Sequence, residues 1–221
     1  MGQPNKKQID SQFHKAQNNH LFRVLENLES RSLFYPCSGQ DFIEPIENFL
    51  PFIDEFWFVD TTYDLSQPLV REGFLKHLGT DQVQESGLTF RRKTPFKVQI
   101  RTDTYFEEST SREIKIHSCQ GKGYNTFRVA FRNTGKQLSI FFHRGDSIGE
   151  GGSDFRWLGT KMLKYLLLHL EPNGLIVTDG SLACDLFKGT NTPFRKMRRY
   201  FEPIANLEPR YGPTVVWKTS N

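Results

Sequence analysis

The sequence is poor in the residues that staple or anchor a chain. Three cysteines in 221 residues, Cys37, Cys119 and Cys184, form neither a disulfide framework nor a zinc-ligand spacing. So few thiols fit a reduced, cytoplasmic setting. No apolar run approaches the ~18 residues of a membrane-spanning helix, so no membrane association is expected. The opening stretch MGQPNKKQIDSQFHK is too polar for the apolar segment of a secretory leader. Lys6 stands where myristoylation after Gly2 needs Ser or Thr. Internal repeats and low-complexity tracts are missing too. Charge of either sign is not in large excess, and a net +4 permits an anionic partner without requiring one. What the chain has in quantity is aromatic bulk. With 20 Phe, 7 Tyr and 3 Trp, a hydrophobic content of only 37% still fills a real core.

The order of elements can be read along the chain. Ile9, Phe13, Ala16, Leu21, Leu25 and Leu28 recur at helical spacing, giving a leading helix within residues 1–30. The stretch 32–64 reads as strand, turn, helix, strand. The apolar run Ser32–Tyr35 stops at Pro36, Asp41 precedes the helical spacing of Phe42, Ile46 and Phe49, and Pro51 closes that helix. Glu55–Val59 is a second buried strand ending in Asp60, completing a βαβ repeat. Residues 65–78 restart a helix, with Ser66 as cap, Pro68 in its first turn and Gly79 as stop. From Leu88 to 135 short alternating runs, REIKIHSC and NTFRVAFRN among them, read as a β-rich insertion of antiparallel hairpins. Leu138–Phe142 returns to the central sheet. The glycine-rich segment GDSIGEGGSD leads into a helix over 155–170, which Pro172-Asn173-Gly174 ends before the strand Leu175–Thr178. A short basic helix follows Thr192-Pro193, and strands near 204–207 and 214–218 close the chain. The expectation is a single α/β domain over 1–221 with a mostly parallel sheet, helices on both faces and an antiparallel C-terminal strand.

Over residues 30–80 and 136–219 this order resembles the class I, Rossmann-like methyltransferases that bind S-adenosylmethionine. Gly39 and Asp60 are 21 residues apart, near the ~20 that separate a glycine turn from a ribose-binding carboxylate. Leu170-Glu171-Pro172-Asn173-Gly174 is similar to that family's connection ahead of its fifth strand. The resemblance implies an S-adenosylmethionine cofactor cradled by Tyr35, Pro36, Ser38 and Gly39, with Asp60 holding the ribose hydroxyls. His143-Arg144-Gly145-Asp146 stands where amino-methylating members carry Asp/Asn-Pro-Pro-aromatic, so no methyl acceptor follows from it.

Beyond the resemblance, three aspartates, Asp60, Asp146 and Asp179, each follow an apolar strand, where ligands of open α/β sheets bind. Asp146, Asp179 and His143 are candidate catalytic acids or bases. The three carboxylates also suit Mg²⁺ and a phosphoesterase, and each equally reads as a turn cap. Gly149, Gly151, Gly152 and Ser153, ahead of a helix N-terminus, are candidates for contacting an anionic substrate. That segment lacks the Lys-Ser/Thr ending of a P-loop, which disfavours nucleotide triphosphate hydrolysis. Arg195, Lys196, Arg198 and Arg199, interleaved with Phe194 and Tyr200, suit a nucleic-acid backbone or a solvated helix face. A methyltransferase, a binding module that kept the fold without the cofactor, and a Mg²⁺-dependent phosphoesterase therefore stay open.

Overall fold

The computed structural model describes residues 19–70, 75–81, 84–90, 93–146, 155–179, 200–207 and 214–219. The first element is helix α1, Asn19–Glu26. Its Leu21, Val24 and Leu25 are buried, the i, i+3, i+4 pattern of one apolar stripe. The described chain divides into two compact units, Arg31–Lys136 and residues 19–30 with 137–219.

The first unit opens on β1 (Ser32–Pro36), helix α2 (Ile43–Phe49) and β2 (Glu55–Asp60). β1 is buried along its whole length and runs parallel to β2, with Ser32 opposite Glu55 and Pro36 opposite Val59. A parallel pair needs a crossover, and α2 supplies it by burying Ile46 and Phe49. Asp41 does not cap this helix, because its carboxylate accepts the Tyr35 hydroxyl at 2.8 Å instead. The sheet then turns antiparallel through β3 (Lys76–Thr80), β4 (Gln84–Phe90), β5 (Lys93–Glu107) and β6 (Arg112–Gln120). β5 pairs antiparallel with β3, β4 and β6. β6 lies parallel to β2, so the order is β3-β5-β6-β2-β1 with β4 also on β5. Helix α3 (Gly123–Phe127) continues as a π-helical turn, Arg128–Arg132. Phe127 and Phe131 there meet Phe34 of β1 edge-on, ring centroids 5.2 and 5.7 Å away.

The second unit holds α1, β7 (Leu138–His143), α4 (Thr160–Leu167), β8 (Leu170–Thr178), β9 (Phe201–Leu207) and β10 (Thr214–Thr219). β7 and β8 are parallel, and β10 is antiparallel to both β8 and β9. The register of β8 against β7 shifts after Leu170, so Pro172-Asn173-Gly174 is an irregularity inside the strand and not its leading turn. Gly174 suits this crowded place, since a Cβ would lie 3.0 Å from the Glu171 carbonyl oxygen, a tight contact. Glu171 itself is buried, and its Oε2 accepts the backbone N–H groups of Glu29 and Ser30 at 3.1 and 2.8 Å. This ties the segment after α1 to β8.

The expected Rossmann-like, mostly parallel layer is not formed. Within the two units five of eight strand pairings are antiparallel. Among the described residues strand takes 45% and helix 21%, too little helix to cover both faces of a parallel layer. The described residues form a β-rich, mixed fold with ten strands. Segment 88–135, expected as an insertion, instead supplies β5 and β6, and β6 bonds directly to β2. Two local expectations fail with it. Residues 65–70 are not helical, because β5 side chains take their carbonyls: Arg101 donates to Leu65 O at 3.1 Å and Tyr105 to Val70 O at 2.9 Å. Residues 125–132, expected as strand, are helical.

Candidate functional site

Two clusters gather residues that the sequence singled out, one in each unit. In the first unit the loop after β1 carries two residues with left-handed backbone, Cys37 at φ 55° and Gly39 at φ 50°. For Gly39 that conformation has little cost, whereas Cys37 strains to adopt it. The turn aims Ser38 inward, where its N–H reaches Val59 O at 2.9 Å. The Ser38 hydroxyl lies 2.5 Å from the Tyr63 hydroxyl and 3.3 Å from Val59 O. Burial pushes the Tyr63 phenol up, so it stays protonated and donates to Ser38, whose own proton then serves Val59 O. This leaves Gly39 N–H to reach Asp60 Oδ2 at 3.2 Å. Asp60 also caps the turn that follows β2, accepting from Thr62 N at 2.8 Å and Thr62 Oγ1 at 2.6 Å, both on Oδ1. Tyr35, Pro36, Ser38, Gly39 and Asp60 thus share one place, the carboxyl ends of β1 and β2, with Asp41 tied in through Tyr35.

In the second unit His143 ends β7 and Asp146 follows it by three residues. Both side chains are fully buried, and His143 Nε2 lies 3.2 Å from Asp146 Oδ2. A carboxylate facing Nε2 fixes the proton there, leaving Nδ1 as the bare acceptor nitrogen. Nδ1 has no hydrogen-bond partner among the described residues. The imidazole stacks near Phe141, 6.0 Å between centroids, and Trp157 packs on that ring in turn at 5.2 Å. Gly145, at φ 68°, turns its N–H onto Asp179 Oδ2 at 2.8 Å. The loop therefore links Asp179, which follows β8, to the His143–Asp146 pair. The Arg144 guanidinium lies over the Phe142 ring at 5.3 Å.

Gly149, Gly151, Gly152 and Ser153, like Arg195, Lys196, Arg198 and Arg199, lie outside the described residues. Among the described residues no group of three or more His, Cys, Asp or Glu side chains could hold a metal ion. No described helix is long and apolar enough to cross a membrane. Sequence reasoning missed Tyr63 and Thr62, which complete the first cluster. Their position just after Asp60, in a turn, was the available signal. It also missed Glu55, Thr102 and His117, which meet only through sheet register and left no signal in the chain. No protein-family model, no curated protein and no solved structure matches the chain.

Proposed function

We propose that the chain is an S-adenosylmethionine-dependent methyltransferase that receives the adenosyl group at the carboxyl ends of β1 and β2. The reading rests on the local β1–α2–β2 unit and not on the sheet as a whole. One observation carries it: Gly39 of the turn after β1 and the carboxylate ending parallel β2 are in contact, at 3.2 Å. The fit of a ribose can be judged from Asp60. A carboxylate offers about four acceptor sites, and the protein fills three, two on Oδ1 and one on Oδ2. Oδ2 keeps one site for a ribose hydroxyl, and a second hydroxyl binds only by displacing Thr62. The space beside Gly39 is open, since a Cβ built there meets nothing within 4 Å. S-Adenosylmethionine would supply an electrophilic methyl group. The chain's part is to accept a ribose hydroxyl on Asp60 and to keep the turn at Gly39 free of side chain.

Calorimetric titration with S-adenosylmethionine and with its demethylated product tests this, at protein concentrations that detect a Kd of ~100 µM, about 5.5 kcal/mol. Heat with either ligand, with affinity weakened in Asp60→Ala, is the expected result. Absence of heat with both removes the proposal. A second reading rests on the His143–Asp146 pair, which has the arrangement of a general base whose proton-accepting atom is Nδ1. It assigns acid–base chemistry to the second unit whatever the first binds, and survives a negative titration.

A further inference from the structure

A third cluster sits in the first unit, on three neighbouring strands. Thr102 of β5 is opposite His117 of β6, and His117 is opposite Trp57 of β2, two residues along from Glu55. Side chains two apart on a strand share a face, so the four line one side of the sheet. Thr102 Oγ1 lies 2.8 Å from His117 Nδ1, and His117 Nε2 lies 3.1 Å from Glu55 Oε1. Lys136 Nζ holds both oxygens of Glu55, at 3.0 and 3.2 Å. The imidazole is stacked on the Trp57 indole with centroids 3.7 Å apart and planes 17° apart. It has nowhere to turn.

Proton positions follow from this geometry. Glu55 can only accept, so Nε2 carries the proton and donates to it. Burial disfavours the imidazolium and lowers the His117 pKa, so the ring is neutral near pH 7 and Nδ1 is an acceptor. Thr102 therefore donates its hydroxyl proton to Nδ1. Its β-branch restricts χ1 and holds the oxygen in that pose. A hydroxyl bonded to a base that a third group orients is the arrangement of an activated nucleophile. Thr102 is half-buried while His117 is only 6% exposed, so the threonine is more open to solvent than its base.

We propose that Thr102 is an acyl-transfer nucleophile, acting on a carboxylic ester or thioester, with His117 as its base and Glu55 as the positioning residue. Thr102 Oγ bonds to the acyl carbon while its proton passes to Nδ1. The bond from that carbon to the leaving oxygen or sulfur breaks, and the leaving atom takes the proton from His117. Water then attacks the acyl-threonine, giving one proton through His117 back to Thr102 Oγ as that ester bond breaks. The sum is hydrolysis of one ester, without change of oxidation state.

The test uses the full chain with p-nitrophenyl acetate. Hydrolysis above the buffer rate is expected, with acetyl recovered on Thr102 by peptide mass spectrometry of the wild-type protein. Thr102→Val and His117→Gln should each lower the rate by about 10²–10⁴-fold, the usual worth of a general base. Thr102→Ser should restore hydrolysis relative to Thr102→Val. Glu55→Gln should move the acid limb of the rate profile to lower pH, because the carboxylate favours the imidazolium and its loss makes the ring harder to protonate. A merely structural Glu55 leaves that limb in place. Folded wild-type protein no faster than buffer, acetyl found on other residues alone, or Thr102→Val as fast as wild type would each overturn the proposal. Acetyl mapping needs no variant, so a substitution that fails to fold does not blunt the test.

Discussion

Asp60 carries two demands on one carboxylate, and single-residue changes separate them. Its three bonds to Thr62 and Gly39 hold the turn after β2, and loss of such a cap costs ~0.5–2 kcal/mol. Asp60→Ala should therefore lower stability by about that amount in a denaturant titration. A charge-assisted bond to one ribose hydroxyl is worth ~1.5–3 kcal/mol. The same variant should thus weaken S-adenosylmethionine by roughly ten- to a hundredfold, on ~1.36 kcal/mol per decade. Thr62→Val is the complement. It removes the 2.6 Å hydroxyl bond and frees a site on Oδ1, so stability should fall by ~0.5–1.5 kcal/mol while adenosyl affinity holds or improves. Affinity that falls in step with stability in both variants would mean that Asp60 only shapes the loop. At this scale the sequence placed Asp60 at a strand end but could not say which atoms its oxygens meet. His143 and Asp146 were each legible as candidates. That they face each other depends on Gly145 adopting φ 68°, which no residue pattern specifies.

Among the elements, β1, α2 and β2 were readable because their apolar runs are short, dense and punctuated by Pro36 and Pro51. Residues 125–132 were not. Phe127, Val129 and Phe131 alternate as in a strand, yet Phe127 and Phe131 are also one helical turn apart, so both periods fit. Packing decides between them. In the helical form both rings reach Phe34, and Phe131 also reaches Trp57 at 6.0 Å. Phe131 is wholly buried, so Phe131→Ala should cost ~3–5 kcal/mol. A conservative Phe131→Leu should recover most of this. Chemical denaturation followed by circular dichroism reads both. A loss below ~1 kcal/mol in Phe131→Ala would show that the helical segment is not held by this contact. Residues 65–70 illustrate the opposite failure, where helical spacing was present but Arg101 and Tyr105 of a distant strand capture the carbonyls at Leu65 and Val70.

At the scale of the whole chain, what the sequence hides is strand pairing between distant segments, such as β6 against β2, since nothing periodic marks it. That pairing also sets how the protein answers acid, because it builds the ionic group Glu55–His117–Lys136. Burial by itself would raise the Glu55 pKa, but the His117 hydrogen bond and the charge that ring gains once acid protonates it, followed by Lys136, outweigh it and hold the carboxyl at about 2, against 4.5 for a free side chain. Asp103 is held low likewise, burial being outweighed by Arg101 and Thr80. A depressed carboxyl binds fewer protons folded than unfolded, so its contribution is complete above the unfolded value and is lost as pH falls through the folded one. His117, lowered by burial, has the same sign: the folded state is harder to protonate, and stability drains away below its unfolded value of 6.5. For Glu55 the window runs from 4.5 down to about 2 and spans roughly 3 kcal/mol at ~1.36 kcal/mol per unit. The share owed to Lys136 is discounted, because that ammonium is 53% exposed and screened by solvent. Denaturant titrations of wild type and Glu55→Gln at a series of pH values resolve the effect. The variant should be clearly less stable than wild type at pH 7, and the two should converge as pH approaches 2, where Glu55 is itself protonated. A stability gap that stays constant between pH 7 and 2 would assign the loss to packing, and the ionic group would then have no part in acid sensitivity.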